Sequence, residues 1–356
     1  MNKALHAKEL LGKHISRQRK AKQFRLPPER ALAEQFGYSR ATVGKALGVL
    51  EGEGIIFRKK GSGTFITKND KERTMTIALV MRMAYHYTDT HFRLIVEEVS
   101  KYAEKHNIYI QIFDNLPEIF KKNPDKNSLI QAIESGTIDG VLIVSRMPIS
   151  ILNRISAICP TVSINNIFGD GSEIPCISCD YFFAGFLAGK HLLEKGHRKV
   201  AYITENFTNS ESTFEFSGFK AALGMVGVDL TNHNILECKQ NSDIFTKRVL
   251  DFFKNSAYRA CFVRTTRCAT KIFSVLQRSS FERAEKLSFI AIGNYDNECP
   301  NNIRLTIIDN QLAKMCRIGL QTVQSIINNN KTKGGLKLLA PKIIENNSVI
   351  NLNKIK

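Results

Sequence analysis

Ser39-Arg40-Ala41-Thr42, with Lys45 on the next turn, gathers two hydroxyls, a guanidinium and an ammonium around small neighbours, Ala41 and Gly44. Such a group can donate to phosphates and base edges while the backbone behind it comes close to a nucleic-acid groove. A second basic group, Arg58-Lys59-Lys60-Gly61-Ser62, ends on residues that suit a tight turn. The other reactive side chains form no working set. The eight cysteines are scattered, and most sit beside apolar runs, as buried thiols do. Cys176 and Cys179 have the spacing of half a zinc site but lack a second ligand pair, and His191 and His197 have no metal-ligand partner. Glycine-rich nucleotide fingerprints, a phosphate-loop lysine and a Gly-x-Ser-x-Gly elbow are missing. Neither an enzyme nor a bound metal or cofactor is expected.

The basic groups need a scaffold, and the flanking residues supply one. Residues 4–20 read as a basic amphipathic helix with Leu5, Leu10, Leu11 and Ile15 toward one side. A second helix follows Pro27-Pro28 and stops at Gly37, and Ser39 suits the N-cap of a third. Along the third helix Val43, Ala46, Leu47 and Leu50 recur at helical spacing and should face the core. Ala41, Lys45 and Gly48 then face outward, with Arg40 and Thr42 at the exposed end. Gly54-Ile55-Ile56-Phe57 and Thr64-Phe65-Ile66-Thr67 read as two strands of a hairpin whose tip is Arg58 to Gly63.

Charge supports this layout. The net charge of +18 implies a polyanionic partner. Residues 1–74 hold 17 Lys and Arg against 7 Asp and Glu, so more than half of the excess lies in about a fifth of the chain. A mean hydropathy of −0.18 and the lack of any long apolar run give no reason to expect a membrane span. The first residues turn charged before an apolar leader can form, so a cytoplasmic location is expected.

After a polar stretch at 69–75, read as a linker, the pattern changes. Thr76–Met81, Ile108–Phe113, Gly140–Val144, Lys199–Ile203, Ala260–Val263 and Leu287–Ile292 are compact, β-branched-rich runs, with amphipathic helices between the early ones at 91–106 and 127–135. This is the βαβ pattern of parallel sheets, here in two lobes, with ligands expected at the strands' carboxyl ends.

Two resemblances fit these halves. Leu26-Pro27-Pro28-Glu29-Arg30-Ala31-Leu32-Ala33, Ser39 to Val43, Glu53 to Ile56 and Gly61 to Ile66 resemble the GntR-type winged helix. The match is ordered over about forty residues of a domain read as 1–68 and implies an α+β winged helix-turn-helix that holds double-stranded operator DNA through Arg30, Arg40, Thr42 and Gly61; Ser39, Ala41, Lys45, Arg58, Lys59, Lys60 and Ser62 complete the candidate contact set. Gly44 stands where that family often has an arginine, and Pro28 where it usually has a serine. Residues 76–350 resemble the LacI/GalR-type sensor, a two-lobed α/β fold like that of periplasmic binding proteins; Asp180, Gly185, His191 to Ile203 and Gly218 to Leu223 carry the match. It implies a regulator, a repressor more readily than an activator, that acts as a homodimer and answers a small sugar-like effector. Rival readings are a cytoplasmic sugar-binding protein or enzyme, and a non-specific nucleic-acid binder.

The effector residues implied by the resemblance are Arg82, Phe92, Ser145, Asn165, Glu215, Thr265, Tyr295, Asp296 and Asn310, and Tyr85 and Tyr87 could stack on a sugar ring. Glu215 stands where the family usually has an arginine, Thr265-Thr266 replace an Asn-Asp pair, and Gly293-Asn294-Tyr295-Asp296 shifts an acid by one place. A carboxylate only accepts, whereas a guanidinium donates in several directions. Two readings follow: an effector richer in donors or cationic, or a reshaped site.

Overall fold

A computed structural model describes the chain except for residues 1–2, 21–22, 60, 68–73, 82–89, 115–126, 145, 166–172, 206, 208–209, 240–243, 256, 280, 282–285, 294–297, 300–301, 330–333 and 355–356. The N-terminal part consists of α1 (Lys3–Lys20), α2 (Glu29–Phe36), α3 (Arg40–Gly52) and an antiparallel hairpin of β1 (Ile56–Lys59) and β2 (Gly63–Ile66). Its core is small and continuous: Ala7, Leu11 and Ile15 of α1 meet Leu32 of α2, Val43, Ala46, Leu47 and Leu50 of α3, and Ile56 and Ile66 of the hairpin. Leu10 is only partly buried, so Ala7 takes the place in the apolar stripe that the spacing assigned to it.

The rest is a two-lobed α/β domain. Its helices are α4 (Thr90–Lys105), α5 (Ser128–Glu134), α6 (Ile149–Ile158), α7 (Tyr181–Glu194), α8 (Ser210–Gly224), α9 (Phe245–Lys254), α10 (Thr266–Arg278) and α11 (Leu312–Asn329). One six-stranded sheet is built from β3 (Met75–Val80), β4 (Ile108–Phe113), β5 (Gly140–Ile143), β6 (Thr161–Ile164), β7 (Cys176–Cys179) and β15 (Leu336–Leu339), in the order β15-β7-β6-β5-β3-β4. The other is built from β8 (Val200–Thr204), β9 (Ile235–Glu237), β10 (Ala260–Val263), β11 (Ser288–Ile292), β14 (Thr306–Asp309) and β16 (Lys342–Ile344), in the order β16-β14-β11-β10-β8-β9. A small antiparallel pair, β12 (Glu298–Cys299) and β13 (Ile303–Arg304), lies beside it in sequence.

The described pairings within both sheets are parallel except that β16 runs antiparallel to β14. The inner strands β5, β8, β10 and β11 are buried along their whole length, which is why they read as unbroken apolar runs rather than as alternating ones. Residue 75, assigned to the linker, is already in β3.

Two interlocked helices position the second sheet's upper edge. A Cβ on Gly185 of α7 would lie 1.8 Å from the Glu215 carbonyl oxygen, and one on Gly218 of α8 would lie 1.8 Å from that of Phe182. The helices therefore cross backbone to backbone, and only glycine fits at either position. The crossing sets the rotation of α8, and with it the direction of Glu215.

Candidate nucleic-acid interface and effector residues

Gly37 ends α2 in the left-handed conformation, φ 69°, with its N–H donating to Ala33 O. Two residues later Ser39 starts α3 by accepting from Thr42 N at 3.2 Å. Helix, turn and helix are thus fixed by local chemistry, and Pro28 gives α2 no side-chain cap. Val43, Ala46, Leu47 and Leu50 are buried, leaving Arg40, Ala41, Lys45 and Gly48 on the open face. Arg40 has 77% of its side chain in solvent and Arg30 has 86%. Arg30 reaches Glu34 one turn on at 3.1 Å, an exposed pair that holds it only weakly.

The wing departs from expectation. Arg58 and Lys59 lie within β1, paired with Thr64 and Gly63, so the turn is shorter than the basic run. Gly61 and Gly63 take positive φ, 76° and 113°, and β2 can leave the turn only because of them. Lys60 falls outside the described residues. The Arg58 guanidinium is engaged inside the domain: its Nη2 is 3.4 Å from Glu29 Oε1 and its Nε 3.4 Å from Glu51 Oε2. Arg25, which the sequence did not single out, braces the wing by donating to Ser62 O at 3.1 Å and lying over the Phe65 ring.

In the two-lobed domain the residues implied for the effector separate. Arg82, Tyr85, Tyr87, Ser145, Tyr295 and Asp296 lie outside the described residues. Phe92 is part-buried on α4. Asn165 follows β6 with φ 56°, a value asparagine tolerates, and accepts from Ser178 Oγ at 3.0 Å. Thr265 follows β10, but its hydroxyl oxygen caps α10 by accepting from Cys268 N at 3.2 Å. Asn310 follows β14, is 8% exposed, and its Oδ1 finds no hydrogen-bond partner among the described residues.

Glu215 is 1% exposed, and its Oε2 is 3.2 Å from Arg264 Nε; Glu211 Oε2 is 3.5 Å from Arg264 Nη2. Arg264, just past the end of β10, thus pairs with both carboxylates, and the cluster keeps one net negative charge. Sequence spacing could not show this, because the pair joins residues 49 apart on different elements.

Three family models match. "Bacterial regulatory proteins, gntR family" covers residues 3–66, "Periplasmic binding proteins and sugar binding domain of LacI family" covers 74–256, and "Periplasmic binding protein-like domain" covers 190–349. The second of these spans more than half of the chain. The chain belongs to the LacI family. With its gntR-family domain it is a DNA-binding transcriptional regulator of mixed descent. This LacI-family chain is 30% identical over 203 residues to the arabinose metabolism transcriptional repressor of Geobacillus stearothermophilus, covering 54% of this chain and 53% of that protein. It is 23% identical over 319 residues to the repressor of the same name from Halalkalibacterium halodurans, covering 84% and 81%. Among solved structures, the transcriptional regulator CelR in complex with cellobiose superposes with a TM-score of 0.66 at 17% identity, covering 91% of this chain and all of that one, which shows the fold.

Elsewhere in this LacI-family chain His191, His197 and the cysteines are buried. Burial lowers the pKa of His191 and His197, and the His197 Nε2–H donates to Ile350 O at 2.8 Å. All eight cysteines are buried free thiols, and burial raises the pKa of Cys179, Cys261, Cys299 and Cys316. Among the described residues no three metal-ligating side chains come together, and no helix is long and apolar enough to cross a membrane.

Proposed function

We propose that the protein is a sequence-specific repressor that binds a roughly palindromic operator as a homodimer and is controlled by a small sugar-like effector held by its two-lobed domain. The observation that carries the DNA half is the open face of α3: a serine-capped N-terminus, an exposed Arg40, a small Ala41 and an exposed Lys45, backed by a fully apolar buried face. One helix of this kind fits a major groove, and a two-fold dimer pairs two of them with matched half-sites. Arg30, Ser39, Thr42, Lys59, Gly61 and Ser62 complete the contact set, phosphates being their chief targets.

The effector half is supported by Asn310 and Arg264. A buried amide oxygen without a partner is a place where a ligand hydroxyl or amine would bring its donor. Arg264 restores a guanidinium beside Glu215, so ordinary sugar hydroxyls remain readable. The names of the two arabinose repressors direct the first ligand panel to pentoses.

The test is footprinting of the full-length protein on its own genomic neighbourhood, with and without a panel of pentoses, hexoses and amino sugars. One or two short protected palindromes, released or tightened by one sugar, are expected. Arg40→Ala should weaken the protected site by about 1–3 kcal/mol if Arg40 reads a base. Uniform weak protection of all sequences would leave a non-specific binder instead.

A further inference from the structure

Four charged side chains of alternating sign run from one end of the recognition helix to the other by way of the wing. Arg40 Nε at the start of α3 is 3.8 Å from Glu29 Oε2 on α2. The other oxygen of Glu29 is 3.4 Å from Arg58 Nη2 on β1, and Arg58 Nε is 3.4 Å from Glu51 Oε2 on the last turn of α3. Glu51 holds the wing strand twice, because its Oε1 also accepts from the Arg58 backbone N–H at 3.1 Å. Arg58 further donates to the Gly44 carbonyl at 3.4 Å.

Gly44 sits beside this arrangement. A Cβ at position 44 would lie 3.7 Å and 4.0 Å from the two carboxylate oxygens of Glu29, in ordinary contact with them. Glu29 is shared by one guanidinium from the helix, Arg40, and one from the wing, Arg58.

Resting on the DNA-binding reading above, we propose that Arg58 is a positioning residue rather than a DNA contact: it locks the wing to both helices of the reader and, through Glu29, sets the direction from which Arg40 meets a base. Each ion pair here is part-exposed and contributes little on its own. The fork has a geometric effect instead. A planar guanidinium with donors in fixed directions satisfies two carboxylates and a carbonyl at once, which an ammonium cannot do in the same geometry. Wing tip and recognition helix thereby hold one spacing, and that spacing decides which sequences Arg40 and the tip can engage together.

The experiment compares the full-length parent with Arg58→Lys, Arg58→Ala and Glu51→Gln. The probes are a duplex selected by the parent from a random pool and a random-sequence duplex, each measured across a salt series. Thermal unfolding establishes that each variant is folded, and Glu51→Gln, which removes no backbone acceptor, serves should Arg58→Lys melt early. The expected result is that Arg58→Lys, although it keeps the charge, lowers the preference for the selected duplex by about tenfold with an unchanged salt slope. Glu51→Gln should lower the same preference. Simple electrostatics predicts no change in that preference, since removing a negative charge from a basic reader tightens binding to every duplex alike. Parent-like preference in both variants overturns the proposal, and so does a salt slope that falls by about 1 in Arg58→Ala, the mark of a lost phosphate contact. If the parent selects no sequence at all, the DNA-binding reading fails and this inference falls with it.

Discussion

Ser39 does two jobs within one turn. Its oxygen accepts from Thr42 N, and its hydroxyl lies 2.8 Å from Thr42 Oγ1, so the cap also aims a side chain toward the open end of α3. Ser39→Ala should destabilise the reader by about 1 kcal/mol, read as a lower unfolding midpoint for its transition; an unchanged midpoint would contradict the capping role. Ser39 and Gly37 were legible in the sequence because their work, capping and ending a helix, is done within a few residues of chain. Arg58 and Arg264 were legible as basic residues but not by role. Each answers to carboxylates on other elements, Glu29 and Glu51 in one case and Glu211 and Glu215 in the other. Glu215 read alone has the right sign of local charge but not its partners, Arg264 and through it Glu211.

Among the elements, the crossing of α7 and α8 leaves the least room for change. Gly218→Ala would place a methyl group 1.8 Å from a carbonyl oxygen that belongs to a helix backbone, so the helices must part. About 3 kcal/mol or more of stability should be lost, and urea unfolding of the full chain measures it. A midpoint within error of the parent would show that α8 shifts freely, and that Glu215 is not held by the crossing. The long elements were readable in advance: α3 by its apolar spacing, β3, β5, β8, β10 and β11 by their buried runs. The short ones were not. β9 has three residues, and β15, although three of its four residues are leucine, shows solvent on three of the four, so neither is the long buried run that marks an inner strand. Such strands exist because a neighbour offers them an edge.

At the scale of the whole molecule, pH acts on stability and salt on DNA binding. His14, His191 and His197 all have pKa values lowered from 6.5, chiefly by burial. As pH falls through 6.5 the unfolded chain takes up these protons first, so stability declines from there until the lower folded-state values are passed. The unfolding midpoint should therefore be lower at about pH 5.5 than at about pH 7.5, and His197→Gln should flatten the difference. A midpoint that rises on acidification would contradict this account of the histidines. DNA binding should weaken steeply with salt, since most of the reader's contacts are charged: log K should fall linearly with log salt, with a slope of about −0.9 per phosphate neutralised. A salt-independent affinity would exclude the basic face of α3 and the wing as the interface.

One short stretch has a consequence for how the chain is made. Leu336–Leu339 pairs with β7 of one sheet and Lys342–Ile344 with β14 of the other, so nine successive residues close two sheets. During synthesis the winged helix is complete once residue 66 has emerged, but β7 keeps an open flank until residue 339 has left the ribosome and β14 until residue 344 has. Unpaired strand flanks invite pairing with other chains. A nascent chain stalled before Leu336 thus carries a finished DNA-binding head on a body with two adhesive borders, and cells should treat it as a client for chaperones rather than as a half-active regulator.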